Sequence, residues 1–242
     1  MNHAAWYWQE NFFPWFTEKG FDCFALSYRN HGNSYFTKHI NFTSLNDYLD
    51  DIYSITKQFN EHFIFIGHSM GGLLTQLYLE KYKAKAAILL TPVPYNGIKA
   101  ASSNPSTLKN IVGLFKLLKS RSIKSFMNTP EKASLVMYSK DISGKKLNKY
   151  YKKIDEESIL AYLQMANRKV NLSENHKIPM LVLAAEKDRL LSVQSIKATA
   201  QFYDADFLLL KNTAHNAMLD TRWENTAEQI FTWLINNKSK IL

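Results

Sequence analysis

The sequence predicts an α/β fold, a mostly parallel sheet flanked by helices and interrupted by a helical insertion. Short apolar runs alternate with amphipathic stretches, the pattern of a parallel sheet whose crossovers are helices. One of these runs passes through a glycine-rich turn, Gly67-His68-Ser69-Met70-Gly71-Gly72, directly into a helix-like stretch. Between Thr91-Pro92-Val93-Pro94 and Ile178-Pro179 the alternation stops, and prolines bracket that segment as boundaries often are.

Five runs read as strands: Asp22 to Leu26, Phe63 to Ile66, Ala86 to Leu90, Met180 to Ala185 and Phe207 to Leu210. Each is strand-sized and bounded by turn or helix signals. Leu45, Leu49, Ile52, Ile55 and Phe59 recur at helical spacing after Ser44, which with Asp47 three residues on forms a start signal. Leu73 to Leu79 continues the glycine turn as a helix, and Trp223, Ala227, Ile230, Phe231 and Leu234 mark another near the C-terminus. Within the insertion, Ile111, Leu114, Phe115 and Leu118 fall at i, i+3, i+4 and i+7 with Lys109, Lys116 and Lys119 beside them, which predicts a basic amphipathic helix. The resulting division is a core of residues 1–91 and 178–242 with a helical cap, or lid, at 92–177.

With 242 residues, 46% of them hydrophobic, the chain can bury one good-sized core. Its single cysteine, Cys23, excludes an internal disulfide and sits in an apolar run as a small structural residue. No apolar stretch approaches the roughly 20 residues that span a bilayer, and no signal peptide pattern is visible, so a cytoplasmic location is expected. The net charge of +9 is local: residues 97–153 hold thirteen bases against Glu131 and Asp141, leaving the rest of the chain slightly acidic. That excess fits either a cap drawn to anionic membrane surfaces or a lysine-rich composition. The dominance of lysine over arginine favours the second. No nucleic-acid module accompanies the bases, so no nucleic-acid partner is expected.

The chemistry centres on Ser69. In a sharp strand-to-helix turn the serine takes a strained backbone conformation that lifts its Oγ above the sheet, and the helix beginning there favours negative charge. A serine hydroxyl needs a histidine base, and that histidine needs a carboxylate to fix its tautomer. His215 lies just beyond the last predicted strand, where a loop can return it to the serine. Asp188 follows the strand ending at Ala185, with Glu186 as its rival. His68, inside the turn, is expected to face away from the site, and the remaining histidines are read as structural or solvated. The three stand in the chain in the order Ser69, Asp188, His215.

With these residues placed, the chain resembles the α/β-hydrolase superfamily, in its lipase- and esterase-like branch with a helical lid, often described as monoacylglycerol lipases or lysophospholipases. The resemblance extends to His3-Ala4-Ala5-Trp6-Tyr7-Trp8, Tyr28-Arg29-Asn30-His31-Gly32-Asn33-Ser34 and Met218-Leu219-Asp220-Thr221-Arg222-Trp223. It implies a carboxylic ester substrate of apolar or lipid-like character, an acyl-enzyme on Ser69, and no metal or organic cofactor. The backbone N–H of Met70 is the implied first oxyanion donor. In such proteins a His-Gly pair and the strand before it precede a segment like His3 to Trp8, and the next residue gives the second donor. Here Met1 falls at that position, carrying an α-amino group. The expectation is therefore of a shortened chain lacking the superfamily's N-terminal strands, one of which separates the counterparts of Asp22–Leu26 and Phe63–Ile66. Leaving backbone groups unpaired there costs about 1 to 3 kcal/mol each, so a simple deletion is expected not to fold in the usual manner. The rival readings are another reaction on the same residues, such as amide, thioester or carbon–carbon hydrolysis or acyl transfer, and a non-catalytic protein.

Overall fold

A computed structural model describes residues 1–37, 39–98 and 122–241. The chain begins with two short helices, α1 (Trp6–Gln9) and α2 (Phe12–Glu18), followed by α3 (Leu45–Thr56). Ser44 caps α3 as its sequence foretells: its Oγ accepts the Asp47 N–H, and the Asp47 carboxylate accepts the Ser44 N–H, a reciprocal capping box. Then come β1 (Ile64–His68), α4 (Met70–Leu79) and β2 (Ala86–Leu90). Between β2 and the next strand the described residues include α5 (Pro130–Met137), α6 (Gly144–Tyr151) and α7 (Ile159–Asn167). The core resumes with β3 (Met180–Ala185), α8 (Val193–Phe202), β4 (Asp206–Leu210) and α9 (Trp223–Asn236). The helix expected over 109–119 lies outside the described residues.

The four strands form one parallel sheet in the order β1-β2-β3-β4. Every residue of β2 and β3 is buried, as continuous apolar runs covered on both faces should be. Side chains alternate between the faces with the two-residue strand period. Ala86, Ile88, Leu90, Leu181 and Leu183 join a cluster with α1, α2 and α9, whereas Ala87, Leu89, Val182 and Ala184 pack with Leu79 at the end of α4 and with Ile196 and Ala200 of α8. The crossovers thus lie on both sides of the sheet.

One expected strand is corrected. Asp22 to Leu26 runs in no β-ladder, and Phe24 is 62% exposed. The reason is the lack of a strand neighbour: among the described residues β1 pairs only with β2, and no ladder joins its other edge to residues 22–26. The ladders of the four strands are unbroken. Just before β1, Phe63 stacks edge to face with Phe24 and Phe59, and these two stack with each other, at 5.0 to 6.1 Å.

The N-terminal residues are tied to the segment between α6 and α7. Asn2 and Asp155 exchange main-chain and side-chain hydrogen bonds, and the Gly32 N–H donates to Asp155 Oδ2 at 2.9 Å. The buried Glu157 carboxylate accepts from Tyr48 Oη at 2.6 Å, Ser158 N at 2.8 Å and Asn2 N at 3.1 Å, with His31 Nε2 3.4 Å away. No helix of the described residues is long and apolar enough to cross a membrane.

Candidate active site

Ser69 stands between β1 and α4 with φ 52° and ψ −118°, a conformation that L-residues avoid and that the surrounding bonds impose. Its N–H donates to the Leu90 carbonyl at 3.2 Å, and its carbonyl accepts from Leu73 N at 3.2 Å and Val93 N at 3.0 Å. Two of the nearby glycines are required by close approach. A Cβ on Gly67 would lie 2.4 Å from Thr75 Oγ1 and 2.6 Å from the Gly71 carbonyl, and one on Gly72 would lie 2.6 Å from Pro92 Cβ. Gly71 differs, since its nearest neighbour would be Tyr28 Oη at 4.0 Å. Met70 is the first residue of α4, so its N–H has no partner within the helix and points from the positive end of the helix dipole.

Asp188 and His215 are brought together. Their loops leave the C-terminal ends of β3 and β4, and His215 Nδ1 lies 2.7 Å from Asp188 Oδ2, with both side chains almost wholly buried. The other Asp188 oxygen accepts the N–H groups of Leu190 and Leu191 at 2.8 and 3.1 Å, which fixes the carboxylate. Glu186 is turned elsewhere: it accepts the Asn212 N–H at 3.0 Å and lies near Lys187 and Lys211. The Asn212 bond and then the lysine contacts hold its pKa below the ordinary glutamate value. Geometry thus separates the two carboxylates that the sequence left in competition. A proton on His215 Nδ1, facing Asp188, leaves Nε2 as the basic nitrogen.

Ser69 is half-buried, and its Oγ makes no hydrogen bond among the described residues. Its neighbour His68 lies with its ring 4.8 Å from that of His215, so the turn and the histidine loop meet. Bonds of this kind often tighten only when substrate is present.

Two residues that sequence reasoning assigned no role here hold the His215 main chain. Contrary to the expectation that it faces away, His68 approaches the His215 carbonyl with Nε2 at 2.9 Å, and Tyr7 Oη stands 3.4 Å from its Nδ1. Nε2 must therefore carry the proton. Burial, reinforced by His215, pushes the His68 pKa far below that of a free imidazole, so the ring stays neutral. Thr91 Oγ1 donates to the same carbonyl at 3.1 Å, from a buried residue with φ 41°, a strained setting for a β-branched side chain. Only a positional signal, the residue directly after β2 beside the turn, could have pointed to Thr91.

A cavity of about 50 Å³ opens beside the turn, lined by Met1, His3, Tyr28, His68, Met70 and Glu157 among others. It brings Met1 and Met70, the two expected oxyanion donors, to one space. His3 borders it with Nδ1 2.7 Å from the Met1 carbonyl, and burial above all drives its pKa to about 3. Among the described residues no group of three His, Cys, Asp or Glu side chains is arranged to hold a metal ion.

A strained serine on a strand-turn-helix, with a histidine–carboxylate pair on loops at the C-terminal ends of the same parallel sheet, is the arrangement of the α/β-hydrolase class. The sequence pattern of the serine aminopeptidase S33 family of hydrolases matches residues 1–222, and the chain belongs to that family. Solved structures share the fold at low identity. An esterase from Exiguobacterium antarcticum superposes with a TM-score of 0.76 at 13% identity, over 96% of this chain and 87% of that one. A monoacylglycerol lipase from Paleococcus ferrophilus gives 0.69 at 19% identity over 98% and 91%. A bromoperoxidase from Bacillus anthracis gives 0.73 at 14% identity over 96% and 88%. No curated protein matches the sequence significantly.

Proposed function

We propose that the protein is a serine esterase that cleaves a carboxylic ester, of apolar or lipid-like character, through Ser69, His215 and Asp188. The observation that carries this reading is the 2.7 Å contact of His215 with Asp188, on a loop that meets the strained Ser69 turn through His68. Ser69 Oγ adds to the ester carbonyl while His215 Nε2 takes its proton, and Asp188 steadies the imidazolium. The Met70 N–H, with Met1 across the same cavity, faces the oxyanion. Collapse of the adduct breaks the bond to the alcohol, which leaves with the proton from His215. Water, deprotonated by His215, then attacks the acyl-enzyme and releases the acid.

Residues 92–177, with α5, α6 and α7 in their described part, serve in this reading as the cap over the site. The test is hydrolysis of p-nitrophenyl esters of graded acyl length by the wild type and by Ser69→Ala. Activity that disappears with Ser69 and favours medium or long chains supports the proposal. Unchanged ester turnover in Ser69→Ala contradicts it. The family's description as serine aminopeptidases favours amide hydrolysis as a second reading, tested in the same plate with aminoacyl p-nitroanilides.

A further inference from the structure

The stretch 135–141, at the end of α5 and just beyond it, is bonded to both loops that carry the candidate base and carboxylate. Arg189, the residue after Asp188, donates from Nη1 to the Leu135 carbonyl at 2.6 Å. Asn216, the residue after His215, donates its N–H to the Met137 carbonyl at 2.9 Å. Ser139 Oγ donates to Asp220 Oδ2, and the same oxygen accepts the N–H of Ala214, the residue before His215, at 3.1 Å. Farther out, Asp141 accepts from Thr221 Oγ1 at 3.1 Å and from Arg222 Nη2 at 2.9 Å.

Asp220 is the hub of these contacts. It is 1% exposed, and its second oxygen accepts the Arg222 N–H at 3.2 Å, with Thr221 Oγ1 also 3.2 Å away. A buried carboxylate surrounded by donors in this way makes charge-assisted bonds, roughly twice as strong as neutral ones. The Ala214 N–H it grips is one peptide from His215, whose own carbonyl is already fixed by His68 and Thr91.

We propose that residues 135–141 are a brace for the catalytic loops and not part of a lid that lifts away, and that Ser139 and Asp220 are positioning residues that keep His215 on Asp188. The proposal rests on the reading of Ser69, Asp188 and His215 as the reacting groups. Lifting this stretch would break bonds to the loops after β3 and β4 together, so the site would lose its geometry as it opened. Misplacement of a catalytic group by about 1 Å can lower a rate on the order of a hundredfold, which makes such a brace consequential.

The experiment begins with the wild type, whose labelling at Ser69 by a fluorophosphonate establishes the underlying reading separately. Ser139→Ala, Ser139→Thr and Arg189→Gln are then compared in ester hydrolysis and by proton NMR of the His215–Asp188 hydrogen bond. Ser139→Ala is expected to lower kcat about tenfold with KM within about twofold, and to broaden or abolish the downfield proton signal. Ser139→Thr, which keeps the hydroxyl, restores both. Arg189→Gln, at an exposed position that keeps the fold, lowers kcat by roughly two- to fivefold and also disturbs the signal. Wild-type kcat and an unaltered proton signal in both Ser139→Ala and Arg189→Gln, with Ser69 still labelling, overturn the brace. A raised KM with unchanged kcat overturns it too, because that is the signature of a binding lid.

Discussion

Replacing Glu157 by glutamine tests how the N-terminal segment is held against the stretch between α6 and α7. Glu157 is wholly buried and meets Tyr48, Ser158, Asn2 and His31. Burial opposes its ionisation, but the nearby His31 ring outweighs that opposition and brings its pKa from 4.5 to about 2. A carboxylate depressed by that amount contributes about 3 kcal/mol of stability. The contribution is fully present above pH 4.5 and is lost as the pH falls towards 2. For His31 burial is likewise the largest influence, yet Glu157 raises its pKa overall, so its share is present below the ordinary histidine value and fades at higher pH. The pair is therefore strongest between about pH 4.5 and 6.5. A glutamine amide offers one acceptor oxygen where the carboxylate offers two, leaving the Asn2 N–H or the Tyr48 hydroxyl facing a donor. Glu157→Gln is expected to lose about 3 kcal/mol at pH 6, or roughly 6 to 12 °C in Tm for a chain of this size. It should also lose most of the wild type's decline in stability between pH 4.5 and 2. Urea denaturation followed by circular dichroism at several pH values measures both. Equal stability at pH 6, or an unchanged acid slope in the variant, refutes the reasoning.

Other consequences concern the site directly. Asp188→Asn should lower kcat/KM by about 10³ to 10⁴, as loss of the correct histidine tautomer does in related chemistry, while Glu186→Gln stays within about threefold; steady-state kinetics on one ester separates them. Gly72→Ala forces a Cβ against Pro92 and should destabilise the fold by about 1 to 3 kcal/mol, whereas Gly71→Ala has open space and should be nearly neutral in the same denaturation assay.

The features legible in the sequence were those written in local pattern. Ala86–Leu90 and Met180–Ala185 are continuous apolar runs, and both strands occupy those residues because a strand buried on both faces tolerates little else. The capping box at Ser44 and Asp47 is equally local. Asp22 to Leu26 has the same strand composition but fails for a non-local reason: composition cannot supply a pairing neighbour, and β1 offers its outer edge to none of the described residues. In the site, Ser69, Asp188 and His215 were nominated by their places at the ends of strands. What the sequence concealed was the support around them, His68 on the His215 carbonyl, Thr91 beside it, and Asp220 with Ser139, 81 residues apart in the chain. Such contacts depend on how loops from separate strands converge, and no spacing rule encodes them.

The central claim is that Ser69 is a nucleophile activated by His215 and Asp188. Its most direct measurement is incubation of the purified protein with a fluorophosphonate, followed by mass mapping of the modified peptide. The expected result is one adduct, on Ser69, that disappears in His215→Ala while that variant keeps the wild-type circular dichroism. A folded wild-type protein that remains unmodified, or that carries the label on another residue, contradicts the account.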